Sequence, residues 1–89
     1  MTKQPSVAVI GGGSWATAIV KILTNNLDRV NWWMRNLDAI EHIQQYGRNP
    51  NYLQSVNFNA DQLELYSDLE RVVSDSDIII MATPSAFIF

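Results

Sequence analysis

From Val7 to Leu23 the sequence runs VAVIGGGSWATAIVKIL, and this stretch limits the fold more than any other. A β-branched apolar run ends in three glycines and passes directly into a pattern of helical period. Short continuous apolar runs suit a strand buried on both faces, as in a parallel sheet. The glycines then require a tight strand-to-helix turn. Gly11, Gly13 and Ala16 have the G-x-G-x-x-G/A spacing, and each position has a physical task. Gly11 permits the turn off the strand. Gly13 leaves its backbone approachable by a pyrophosphate, and Ala16 is small enough for close helix–strand packing. Gly12 lies between them in the same turn. The following helix offers unpaired N–H groups and the positive end of its dipole. The expectation is the first half of a dinucleotide-binding βαβ unit.

The 89 residues suit one small domain at most, and 47% apolar content is enough for a packed core. An open α/β sheet usually needs a longer chain. The net charge is −3 and the six basic residues are scattered, so nothing resembles a nucleic-acid footprint. The absence of cysteine excludes disulfides and thiolate metal sites. The longest apolar run, Ile78 to Ala82, is far short of the ~20 residues of a membrane span. MTKQPS lacks the apolar segment of a signal peptide, which makes a cytoplasmic location the default. The sequence ends on Ala86-Phe87-Ile88-Phe89 without a polar tail. That reads as a chain cut within a larger protein. The rival is a short natural chain whose end docks on its own core or on a partner.

Along the chain, helical and strand-like segments alternate. Ser14 to about Asn25 reads as a helix with Ser14, Thr17, Lys21 and Thr24 forming one solvent stripe. Val30 to Met34 is an aromatic and β-branched strand. Asp38 to about Gln45 reads as a short helix with Asp38 as N-cap and Glu41 as its capping-box partner. Tyr46 to Asp61 reads as a long, Asn-rich connection, and Leu63 to Tyr66 as an edge-like strand. Ser67-Asp68-Leu69-Glu70 is a capping box opening a helix to about Ser74, with Leu69, Val72 and Val73 inward. Ile78 to Ala82 reads as a second strongly buried strand, and Thr83-Pro84-Ser85 as a turn. The order β-α-β-α-β-α-β implies a partial α/β, Rossmann-type doubly wound parallel sheet over residues 1–89, with strand order 3-2-1-4. The ligand crevice then lies at the carboxyl ends of strands one and four.

Around that crevice Ser14 reads either as a hydroxyl for a phosphate or as a helix N-cap. Trp15 reads either as a wall of the crevice or as core packing. Arg35-Asn36 stands 22 residues after Gly13, where an acidic residue would select NAD. A guanidinium there can pair with a 2′-phosphate or stack on adenine, which leans towards NADP tolerance or mixed use, while Asp38 keeps NAD in play; the alternative is a solvated surface arginine. His42, the single histidine, reads as a surface or satisfied structural residue rather than a catalytic one. Asp68, Glu70, Asp75 and Asp77 read as caps and solvated helix ends. No catalytic or metal-binding constellation stands out, and no lysine follows Lys21.

Gly11-Gly12-Gly13-Ser14-Trp15-Ala16-Thr17-Ala18 resembles the GxGSWGTA signature of NAD(P)-dependent glycerol-3-phosphate dehydrogenases. Trp33-Met34-Arg35-Asn36 is similar to the end of their second strand, and Asn51-Tyr52-Leu53 to their Asn-x-x-Tyr-Leu loop. Ser76 to Ser85 is similar to their fourth strand and its Val-Pro-Ser end. Ala16 replaces the usual third glycine, Gln54-Ser55 replaces a common Pro-Gly, and Thr83 a common Val. The resemblance implies the cofactor-binding part of an enzyme reducing dihydroxyacetone phosphate to sn-glycerol 3-phosphate for phospholipid synthesis. It implies cofactor contacts at Ser14, Trp15, Arg35, Pro84 and Phe87, and a homodimeric parent. It also implies catalytic lysines beyond this stretch, so the 89 residues alone should be inactive. Two rivals remain: a free-standing, non-catalytic nucleotide-binding module, and the cofactor domain of a hydroxy-acid or ketopantoate-type reductase. A cut chain should also self-associate through an open edge on strand four and its apolar end.

Overall fold

The computed structural model describes residues 4–49 and 57–82. Its elements are β1 (Val7–Ile10), α1 (Ser14–Thr24), β2 (Val30–Trp33), α2 (Leu37–Tyr46), β3 (Leu63–Tyr66), α3 (Leu69–Ser74) and β4 (Ile78–Met81), with a 3-10 turn at Ala60–Gln62. The four strands form one all-parallel sheet in the order β3-β2-β1-β4, as the alternation predicts. In the register Val9 lies beside Trp32 and Ile80, so their side chains share one face. Residues 50–56 and 83–89 lie outside the described residues, and with them the expected Thr83-Pro84-Ser85 turn.

Two apolar layers hold the sheet. On one face Val9, Val30, Trp32 and Leu63 pack against Ala16 and Val20 of α1 and Ala39, Ile40 and Ile43 of α2. On the other, Ala8 and Ile10 meet Val72 of α3, flanked by Trp33 and Tyr66. All four residues of β1 are buried, as a central parallel strand requires. Burial of this kind contributes roughly 25 cal/mol per Å² of apolar surface and is the main favourable term for the fold.

The polar stripe on α1 faces solvent only at Ser14. Thr17 and Thr24 are buried, whereas Trp15 and Ile22, seven positions apart, are exposed. The connection after α2 covers the stripe with polar partners. Asn49 Nδ2 donates to Thr17 Oγ1 at 3.0 Å, Lys21 Nζ to the Asn57 carbonyl at 2.6 Å, and Gln62 Nε2 to the Thr24 carbonyl at 3.0 Å. Helical period separates the two faces of α1 but carries no information on what covers each. The connection itself is less open than its composition implies. Phe58 is buried with its ring 5.5 Å from that of Trp32, and Asn59 caps the 3-10 turn.

Helix starts shift by one or two residues from the sequence reading. Asn36, not Asp38, caps α2: its Oδ1 accepts from the N–H groups of Asp38 and Ala39 at 3.0 and 3.2 Å. Asp38 sits inside the first turn, where its charge still favours the helix dipole. Asp68, not Ser67, caps α3. Of the three residues expected to face inward from α3, only Val72 does; Leu69 and Val73 are exposed, because so short a helix docks through one side chain.

β4 is not strongly buried. Ile78, Ile79 and Met81 are 49%, 38% and 60% exposed, against full burial along β1. β4 pairs with β1 on one side only, and the described helices pack chiefly on β1, β2 and β3. Among the described residues its outer edge is unpaired, as expected.

Candidate dinucleotide-binding site

The three glycines of the turn are small for three different reasons. Gly11 has φ +134°, a conformation side chains rarely adopt. It continues the ladder by donating from N–H to the Trp33 carbonyl at 2.9 Å. A Cβ on Gly12 would sit 3.2 Å from Met34 Cβ, tighter than normal packing allows. Gly13 is ordinary in conformation (φ −82°, ψ −173°), and a Cβ there would meet nothing within 4 Å among the described residues. The fold therefore does not need glycine at 13. The space its missing side chain leaves lies at the N-terminus of an 11-residue helix, where N–H groups lack partners.

Gly13 is also the N-cap of α1, so Ser14 is not the cap but the first helical residue, and it is exposed. Trp15 is 71% exposed, which removes the core-packing alternative. Ala16 is fully buried against the sheet, as its small size was expected to allow. Arg35 is exposed two residues after β2, next to Asn36. The Asn36 side-chain oxygen is held by the α2 N-terminus, so the role the structure gives it is capping. Pro84 and Phe87 lie outside the described residues. His42 is half-buried with its ring 4.7 Å from that of Tyr46, one helical turn on, in keeping with a structural role. No group of three or more His, Asp or Glu side chains among the described residues is placed to hold a metal.

Two residues that organise the turn were not singled out from the sequence. Trp32 is fully buried, and its Nε1–H donates to the Gly11 carbonyl at 2.7 Å. Asn49, 1% exposed, donates from Nδ2 to the Gly12 carbonyl at 3.1 Å and to Thr17 Oγ1. A signal for Asn49 was available. The spacing Asn-x-x-Tyr-Leu begins at Asn49, three before Tyr52, rather than at Asn51. Trp32→Phe leaves the Gly11 carbonyl without its donor, and the expected cost is about 1.5 kcal/mol. A fall in the urea midpoint of the natural chain, at unchanged m-value, checks this.

A second polar cluster lies at the carboxyl end of β3. Tyr66 Oη donates to Asp75 Oδ2 at 3.0 Å. Burial, and then the Asp75 carboxylate, push the Tyr66 phenol above its ordinary pKa, so it stays neutral through physiological pH. Glu64, Ser67, Asp68 and Arg71 complete the cluster's lining. This lining is of mixed sign, with Tyr66 paired to Asp75 and Glu64 to Arg29 beside it, unlike the open N–H groups of the glycine turn.

Residues 6–89 match the family model described as the N-terminus of NAD-dependent glycerol-3-phosphate dehydrogenase. Among relatives, the chain is 41% identical over 86 residues to glycerol-3-phosphate dehydrogenase (NAD(P)+) of Pseudomonas paraeruginosa. It is 42% identical over 85 residues to that of Teredinibacter turnerae. These matches cover 97% and 96% of the chain but 25% of each relative, so the chain spans about a quarter of their length. The crystal structure of glycerol-3-phosphate dehydrogenase from Coxiella burnetii superposes with a TM-score of 0.79 at 29% identity, over 92% of this chain and 25% of that one. Motif, topology and a family match across nearly the whole length agree: the chain belongs to the family of NAD-dependent glycerol-3-phosphate dehydrogenase N-termini.

Proposed function

We propose that this chain is the N-terminal portion of an NAD(P)-binding Rossmann domain in an enzyme interconverting dihydroxyacetone phosphate and sn-glycerol 3-phosphate, serving glycerophospholipid synthesis. The observation that carries the reading is the open space at Gly13, which the fold does not require. The residues fit the cofactor. Backbone N–H groups at the start of α1 hold the pyrophosphate, and the exposed Ser14 hydroxyl adds a donor. Trp15 walls the crevice, and Pro84 and Phe87 are proposed as cofactor contacts on sequence resemblance alone. When bound, the nicotinamide supplies a hydride to the substrate carbonyl. The residues of this chain bind and orient; none is assigned a catalytic role, and the 89 residues alone should bind without turnover. Among the described residues no helix is long and apolar enough to cross a membrane, and we place the protein in the cytoplasm. We also propose that the open β4 edge supports association, with a homodimeric parent.

Arg35 sets the response to the 2′-phosphate. Arg35→Gln is expected to weaken NADPH about tenfold and NADH less than about threefold, read as two dissociation constants. The function itself is tested with the purified full-length parent protein, not the 89 residues alone, with dihydroxyacetone phosphate and either reduced cofactor. The expected result is cofactor oxidation with stoichiometric sn-glycerol 3-phosphate. Reduction of another carbonyl with dihydroxyacetone phosphate inert contradicts the substrate assignment. Cofactor binding without any turnover favours a non-catalytic module.

A further inference from the structure

We propose that Asn49 is a positioning residue that aims the glycine turn at the pyrophosphate, an inference that rests on the dinucleotide reading above. Asn49 reaches the turn from the far end of α2, 37 positions after Gly12, and is 1% exposed. Its amide nitrogen donates to two acceptors, the Gly12 carbonyl at 3.1 Å and Thr17 Oγ1 at 3.0 Å. Thr17 Oγ1 in turn donates to the Gly13 carbonyl at 2.8 Å, the same oxygen that accepts the Thr17 N–H at 3.0 Å. One buried side chain therefore governs two successive carbonyls of the turn, one directly and one through a hydroxyl.

The consequence follows from peptide geometry. In a planar trans peptide the C=O and the next N–H point in opposite directions. Holding the Gly12 and Gly13 carbonyls toward the protein turns the N–H groups of Gly13 and Ser14 outward. Gly12 and Gly13 have few conformational restraints of their own, so an external clamp is what fixes these two peptide planes before a ligand arrives. Asn49 touches no ligand in this account. It acts through the backbone, and so its effect is confined to ligands that carry the pyrophosphate.

The test compares ADP-ribose, which carries the pyrophosphate, with adenosine, which does not, on the natural full chain. Asn49→Ala and Thr17→Val are each expected to weaken ADP-ribose about tenfold while changing adenosine less than about twofold. Thr17→Ser, which keeps the hydroxyl, should recover the loss seen in Thr17→Val. The double variant should lose less than the product of the two single losses, because both act on one network. Parallel weakening of both ligands, or unchanged ADP-ribose affinity in a folded variant, overturns the inference. If Asn49→Ala does not fold, the Thr17→Val and Thr17→Ser pair decides alone. A wild-type chain that does not bind ADP-ribose fails differently, since it contradicts the dinucleotide reading itself.

Discussion

Gly13→Asp is expected to leave the fold intact and to abolish useful dinucleotide binding. Gly13 already has the extended conformation of an N-cap, and its Cβ position is open. Aspartate is a favoured N-cap and its charge suits the helix dipole, so stability should rise by about 0.5 kcal/mol. The same carboxylate would occupy the space meant for a pyrophosphate and repel it. Affinity for NADH should fall at least about 100-fold, roughly 2.7 kcal/mol. The two effects have opposite signs, which separates a ligand site from a structural turn. Thermal unfolding and calorimetric titration of the same preparation provide both readings. A destabilised variant, or one that binds NADH normally, contradicts the assignment of Gly13.

Gly47→Ala should be the most damaging single methyl in the described chain. Gly47 closes α2 in the left-handed conformation, with φ +73° and its N–H donating to the Ile43 carbonyl at 2.8 Å. Its own carbonyl accepts the Phe58 N–H at 2.6 Å. A Cβ would stand 2.5 Å from the Phe58 carbonyl oxygen, a backbone atom that cannot step aside as a side chain could. The left-handed conformation costs an alanine of order 1 kcal/mol and the overlap about 2 more, so a loss of about 3 kcal/mol is expected. The loss should also weaken the ligand, because Asn49 is two residues on and Phe58 packs on Trp32. Denaturant unfolding checks the stability. A change below about 1 kcal/mol would mean that the α2–Phe58 junction is looser than its geometry implies.

Sheet order, all-parallel pairing and the position of the glycine turn were legible because each rests on a local rule. Apolar runs mark buried strands, glycine spacing marks the turn, and right-handed crossovers leave few topologies. Misreadings came where the outcome depends on a distant partner. Thr17 and Thr24 look solvent-facing until the connection after α2 covers them. Ile78 to Met81 look like a central strand by composition, yet they hold an edge. Asn36 and Asp38 are both good caps, and only the backbone at the end of β2 decides between them. Asn49 and Trp32 were missed for the same reason. Their partners are carbonyls of the glycine turn, 37 and 21 positions away, and carbonyls leave no trace in the side-chain pattern.

The central claim is that the amides of the glycine turn receive the cofactor's pyrophosphate. Amide resonances of the isotope-labelled natural chain, followed during titration with NADH, test this most directly. Saturable shifts are expected at Gly13 and Ser14, and their loss in Gly13→Asp. Saturable shifts confined to the cluster around Tyr66 and Asp75, with Gly13 and Ser14 unmoved, would contradict that claim.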